Sequence, residues 1–131
     1  MSLSPRVLLI EDNEQNRYLA TYLLENHGCL VTHAADGTRG VELALTGQFD
    51  LILLDIGLPL LDGHEVVRQL REVDALHATP IVAVTAYAMA GDRQRILAEG
   101  CDGYMEKPID PETFVRDVMK FVVIHPSGDA P

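Results

Sequence analysis

The sequence predicts an α/β fold, a doubly wound parallel sheet with helices on both faces. Two observations carry that expectation. Short runs of Val, Ile and Leu alternate with segments of helical periodicity along the chain. The runs lack the polar–apolar alternation of half-exposed strands, as strands buried on both faces do. Four of them also end in polar residues. Residues 7–10 lead into Glu11-Asp12, 51–54 into Asp55, 81–84 into Thr85, and 103–106 into Lys107. One sheet gathers those tips along one edge, where open α/β sheets place their ligands.

The elements follow in order. Residues 7–10 form the first strand. Asn13 caps a helix in which Tyr18, Leu19, Tyr22 and Leu23 recur at helical spacing, and Gly28 ends it. Residues 29–34 form the second strand. Asp36-Gly37 turns the chain into an amphipathic helix with Val41, Ala44 and Leu45 inward, stopping at Gly47. The strand ending at Asp55 follows. A helix opens near Gly63 with Val66, Val67 and Leu70 as its apolar stripe, and Pro80 opens the fourth strand. Residues 89–99 read as a helix closed by Gly100. The strand around Tyr104 precedes a last helix. Asp110 is expected to cap it, Pro111 to stand first in it, and Phe114, Val115, Val118 and Val122 to face inward. Five βα units with short connections imply right-handed crossovers.

The chain's 131 residues, 47% of them apolar, suit one domain with a sizeable core. The net charge of −10 argues against a nucleic-acid surface. No apolar run approaches membrane-spanning length, and the N-terminus lacks a secretory h-region. Cys29 and Cys101 fit no metal or redox spacing and read as small buried residues in a reducing cytosol. Neither GxGxxG nor GxxxxGK[ST] occurs, so dinucleotide and P-loop readings fall early.

The gathered tips carry the chemistry. Glu11, Asp12 and Asp55 at close range either rise in pKa or share a cation. An all-oxygen site with open positions suits Mg²⁺. Asp12 and Asp55 are the expected direct ligands, with Glu11 acting through water and the Gly57 carbonyl completing the protein's share. The Lys107 amine, the Thr85 hydroxyl and the Ala86 N–H then suit the oxygens of a transferring phosphoryl group. Asp55 itself can be the nucleophile, forming an aspartyl phosphate.

The motifs Leu9-Ile10-Glu11-Asp12-Asn13, Asp55-Ile56-Gly57-Leu58-Pro59 with Asp62-Gly63, Thr85-Ala86 and Lys107-Pro108 resemble the receiver domain of the two-component response-regulator family. The resemblance implies a flavodoxin-like sheet of strand order 2-1-3-4-5. It implies Mg²⁺ at the acidic pair and phosphorylation of Asp55 by a phosphohistidine on a histidine kinase or histidine phosphotransferase. Thr85 and Tyr104 take the family's switch positions. They are expected to alter a protein-binding face formed by the fourth helix, fifth strand and fifth helix. The Lys107-Pro108 bond is expected to be cis. Gly57 and Tyr87 depart from residues common at their places and are expected to slow self-dephosphorylation. Asn16-Arg17 fits stand-alone regulators and hybrid-kinase receivers alike.

The implied layout is residues 1–5 as an N-terminal extension or cloning remnant, 6–123 as a cytoplasmic receiver domain, and 124–131 as a flexible tail or linker. The implied role is a signalling phosphoacceptor, catalytic only toward itself, with no nucleic-acid or membrane partner. Two other classes fit the residues less well. A Mg²⁺-dependent phosphohydrolase ordinarily carries a second Asp two residues after the nucleophile, where this chain has Gly57. A flavin module needs a phosphate loop after the first strand, where Glu11-Asp12 would repel the phosphate. None of the five scattered histidines reads as a metal ligand or as the phosphodonor.

Overall fold

The computed structural model describes residues 4–57, 62–86 and 90–122. Among them the chain runs β1 (Arg6–Ile10), α1 (Glu14–Asn26), β2 (Leu30–Ala34), α2 (Gly37–Thr46), β3 (Leu51–Asp55), α3 (Gly63–Arg71), a 3-10 turn (Asp74–Leu76), β4 (Ile81–Thr85), α4 (Ala90–Ala98), β5 (Gly103–Glu106) and α5 (Phe114–Met119). The strands are all parallel in the order β2-β1-β3-β4-β5, as expected.

Register explains why the polar tips meet. Ile10 pairs with Leu54, Asp55 with Val84, and Thr85 with Glu106. Glu11, Asp55, Thr85 and Lys107 therefore reach the carboxyl edge within about one residue of each other.

Alternate strand residues point to opposite faces, and each face has its own core. Leu8, Ile10, Ile52, Leu54, Ile81 and Ala83 meet Ala44 of α2, Val66, Val67 and Leu70 of α3, and Ile96 of α4. Val7, Leu9, Leu51, Leu53, Val82 and Val84 meet Ala20 and Leu24 of α1 and Phe114 and Val118 of α5. β3 and β4 are buried at every position. That double burial is why these strands read as continuous apolar runs. The three helices α1, α2 and α3 start on Asn13, Asp36 and Asp62, whose side chains accept the backbone N–H three residues on. The Glu65 N–H is the main reason the Asp62 carboxyl lies below its usual range.

Several details differ from the sequence expectation. The buried stripe of α1 is Ala20 and Leu24, while Tyr18 is 72% exposed and Tyr22 53%. Tyr18 and Tyr22 precede the buried pair by two positions, more than half a turn around the helix. Their rings stack on each other outside, with centroids 6.4 Å apart. In α2 the buried line is Gly37, Gly40 and Ala44, so Leu45, one position further round, projects into solvent. β2 starts at Leu30, one residue later than expected. Asp110 does not cap α5. Its carboxylate accepts the Glu112 N–H and its carbonyl the N–H groups of Thr113 and Phe114, making a turn over 111–113. The helix begins only at Phe114, and Val122 lies beyond its end, packed half-buried on the same core. Pro111 thus sits in the turn. Met89, expected in the fourth helix, and Val123 with the tail 124–131 lie outside the described residues, as do 1–3 of the N-terminal extension.

Both cysteines are free and buried. Burial pushes the Cys101 thiol up to about 12 and raises that of Cys29 as well. Both remain protonated thiols at neutral pH, which suits core packing and opposes redox sensing. No helix among the described residues is long and apolar enough to cross a membrane.

One arginine ties three segments together at the opposite sheet edge. From the end of α3, Arg71 donates Nε to the Gly100 carbonyl at 2.8 Å and Nη1 to the Leu76 and Thr79 carbonyls at 2.8 and 2.9 Å. Its Nη2 reaches Asp102 Oδ2 at 2.8 Å, and that oxygen also accepts the Ile81 N–H. Gly100 has a φ of +119°, and a Cβ there would fall 2.7 Å from Arg71 Cγ, so the glycine serves both backbone and arginine. Arg71→Ala strands several part-buried carbonyls. It is expected to lower unfolding stability by about 2–4 kcal/mol, read as a reduced urea midpoint at unchanged slope.

Candidate functional site

Glu11 leaves β1 with its N–H on the Ala34 carbonyl at 3.0 Å, and its Oε2 accepts the Asn13 N–H at 3.1 Å. Asp55 ends β3. It is 7% exposed, and its Oδ1 accepts the Gly57 N–H at 3.0 Å. Lys107 follows β5, and its N–H donates to the Thr85 carbonyl at 2.8 Å. Its ammonium then spans the two acids, 3.0 Å from Glu11 Oε1 and 3.2 Å from Asp55 Oδ2. Thr85 is buried at the end of β4, beside Asp55 along the edge. Lys107-Pro108 is cis, as expected.

Burial raises the Glu11 carboxyl above its usual range, against the Lys107 and Asn13 hydrogen bonds. Burial alone would lower the Lys107 ammonium, but its hydrogen bond to Glu11 and the Asp55 charge outweigh this, and the net shift is upward. Lys107 is therefore a permanent cation at neutral pH. It compensates part, not all, of the negative charge of three acids.

Oxygens of Glu11, Asp12 and Asp55 lie within 4.8 Å of one another. Asp12 is exposed, so water can complete a coordination shell. The donor set fits Mg²⁺, a hard cation that takes few carboxylates and keeps several waters. A cavity of about 430 Å³ opens beside Asp55, lined also by Gly57, Thr85, Ala86 and Lys107, and by His64, Asp92 and Ile96 from α3 and α4. A Cβ on Gly57 would meet nothing nearer than Asp55 Oδ1 at 3.7 Å, an ordinary contact, so that flank of the Asp55 carboxylate is open. Tyr87 lies outside the described residues.

Sequence reasoning missed several neighbours. His64 has no partner at any recognisable spacing in the sequence, yet it lines the Asp55 cavity and its Nδ1 pairs with Glu99. Glu99 also holds Arg68 of α3 at 3.0 Å and Arg95 of α4 at 3.3 Å, tying the two helices. No periodicity joins positions 35 apart, so no sequence signal could have found this pair. Tyr104 of β5 is half-buried on the α3–α4 side of the sheet, and the Arg93 guanidinium lies 5.3 Å from its ring centroid.

Residues 7–119 match the response regulator receiver domain model, and the chain belongs to that family of two-component signalling proteins. Its curated relatives include the polar-differentiation response regulator DivK of Brucella anthropi. That relative is 39% identical over 124 residues, covering 95% of this chain and 97% of DivK. DivK of Brucella abortus is 37% identical over 128 residues, 98% of this chain and all of the relative. Among solved structures, the receiver domain of sensor histidine kinase PA1611 from Pseudomonas aeruginosa superposes with a TM-score of 0.83 at 34% identity, over 91% of this chain and 98% of that one. It carries a magnesium ion coordinated in its active-site cleft. The chemotaxis response regulator CheY4 of Vibrio cholerae gives 0.86 at 29% identity, over 90% and 98%.

Proposed function

We propose that this chain accepts a phosphoryl group on Asp55 from a phosphohistidine of a histidine kinase or histidine phosphotransferase. The observation that carries the reading is the buried Asp55 carboxylate, with Lys107 Nζ at 3.2 Å and two further acids beside it, at the mouth of an open cavity. Asp12, Asp55 and the Gly57 carbonyl would hold Mg²⁺ directly, and Glu11 through water. Bound there, the ion would supply charge neutralisation for the phosphoryl oxygens.

Asp55 contributes the attacking oxygen. Its bond to phosphorus forms as the phosphorus–nitrogen bond breaks, and the electron pair leaves with the donor's ring nitrogen. Lys107 turns from carboxylate neutralisation to the new phosphoryl oxygens. The Thr85 hydroxyl and the Ala86 N–H donate to another. With no side chain at Gly57 to position an attacking water, and a bulky Tyr87 after Thr85, self-dephosphorylation is expected to be slower than in family members carrying polar residues at both positions. The chain promotes only its own phosphorylation and dephosphorylation, as a cytoplasmic signalling module spanning residues 6–123.

Phosphorylation then shifts an existing equilibrium in which Thr85 and Tyr104 move together. The face of α4, β5 and α5 passes the change to a downstream protein. Tyr104 supports this, since it stands on β5 beside β4 with one side in the core and Arg93 of α4 against its ring.

Incubation with Mg²⁺ and acetyl phosphate, followed by intact mass and site mapping, tests the reading. One phosphoryl group on Asp55, and none on the Asp55→Asn protein, is the expected result. A phosphoryl group on another residue, with Asp55 unmodified, overturns it.

A further inference from the structure

We infer that Arg17 is a positioning residue for the cation site, its guanidinium holding the main chain of Glu11 and Asp12 in the shape that binds Mg²⁺. This rests on the reading above. Residues 11–13 belong to neither β1 nor α1. The strand ladder reaches only as far as the Glu11 N–H. Past it, the acid-bearing loop depends on local contacts. Arg17 reaches back from α1, and its Nη1 donates to the Glu11 carbonyl at 2.9 Å and more weakly to the Asp12 carbonyl at 3.4 Å. One side chain thus grips both residues that send carboxylates toward Asp55.

The placement runs against the helix. Arg17 is the fourth residue of α1, near the end whose dipole favours acids and disfavours cations. Its two carbonyl contacts give this cation a local reason to be there. Asn13 is held to α1 by the Asn16 N–H on its side chain and the Arg17 N–H on its carbonyl, but the other ties on Glu11 itself, from the Asn13 N–H and the Lys107 ammonium, use the carboxylate that the ion also needs through water. Arg17 uses only carbonyls, so its hold survives cation binding.

Two opposed effects decide the sign. A positive charge near the site weakens cation binding, and an ordered loop strengthens it. Arg17 is half-exposed, so its charge is screened by solvent. Loss of a group orienting metal ligands costs roughly 10-fold or more in affinity. Order therefore outweighs charge.

Calorimetric Mg²⁺ titration of wild type, Arg17→Ala and Arg17→Lys tests the inference without phosphorylation. The dissociation constant is expected to rise about 10-fold in Arg17→Ala and less in Arg17→Lys, which retains a donor. The metal-free urea midpoint should change little. Phosphorylation by acetyl phosphate should slow at low Mg²⁺ and recover at saturation. Unchanged or tighter Mg²⁺ binding in Arg17→Ala, or a weakening that only follows a loss of metal-free stability, overturns the role of Arg17 and leaves the phosphoacceptor reading intact. Failure of wild type to bind Mg²⁺ removes both.

Discussion

Replacing Asp12 with alanine is expected to leave the protein folded and stop its phosphorylation. Asp12 is exposed, on a loop between β1 and α1, and no core contact depends on its side chain. Its carboxylate lies within 4.8 Å of those of Glu11 and Asp55, with the Lys107 ammonium on the other two. Removing one of three crowded negative charges relieves repulsion. Stability without metal should hold or rise, by no more than about 1 kcal/mol at this solvent-screened position. The same change removes a proposed direct ligand from a site that would keep few. The phosphorylation rate from acetyl phosphate should fall at least about 100-fold, since the metal contributes several kcal/mol of charge stabilisation. Phosphorylation at the wild-type rate would take Asp12 out of the site.

Gly63→Ala is expected to damage both stability and phosphorylation, although it sits at the start of a helix. Alanine in place of glycine within a helix ordinarily gains about 0.5–1 kcal/mol. Here the added Cβ would fall 2.5 Å from Ile56 Cα, 2.8 Å from the Asp55 carbonyl oxygen and 2.9 Å from the Ile56 carbonyl oxygen. All three are main-chain atoms, so no side chain can swing aside. The Gly63 N–H also donates to that Ile56 carbonyl at 3.1 Å, fixing the two segments against each other. Relief requires moving α3 or the main chain of Asp55 itself. Overpacking of this kind costs about 1–3 kcal/mol, which exceeds the helix gain. A displacement of roughly 1 Å at a reacting group costs on the order of 100-fold in rate. The urea midpoint and the acetyl phosphate rate should therefore fall together. A variant equal to wild type in both would show that the helix can shift without disturbing the acceptor.

The residues alone made the fold class and the polar strand ends legible, and the family resemblance supplied the strand order. β1, β3 and β4 are legible because both faces of each are buried, which demands apolar residues at nearly every position and leaves polar ends conspicuous. Glu11, Asp12, Asp55, Thr85 and Lys107 stand out for that reason. Helix phase was less legible. Tyr18 and Tyr22 carry a helical spacing, but Ala20 and Leu24 carry the same spacing two positions on, and the core takes that pair. The last helix misled through Asp110-Pro111, whose local hydrogen bonds make a turn as readily as a cap. Which side chains support the site and the fold around it became visible in the folded chain. Arg71 on Gly100 and Asp102 and His64 on Glu99 join positions far apart in the chain, and the start of α3 at Gly63 closes on the main chain of Ile56. Such pairings follow from register and crossover geometry, which bring together residues with no shared period or motif. Arg17 lies between these cases. A cation early in a helix is visible in the sequence as a departure from dipole preference, but its carbonyl partners appear only once the loop has folded back over it.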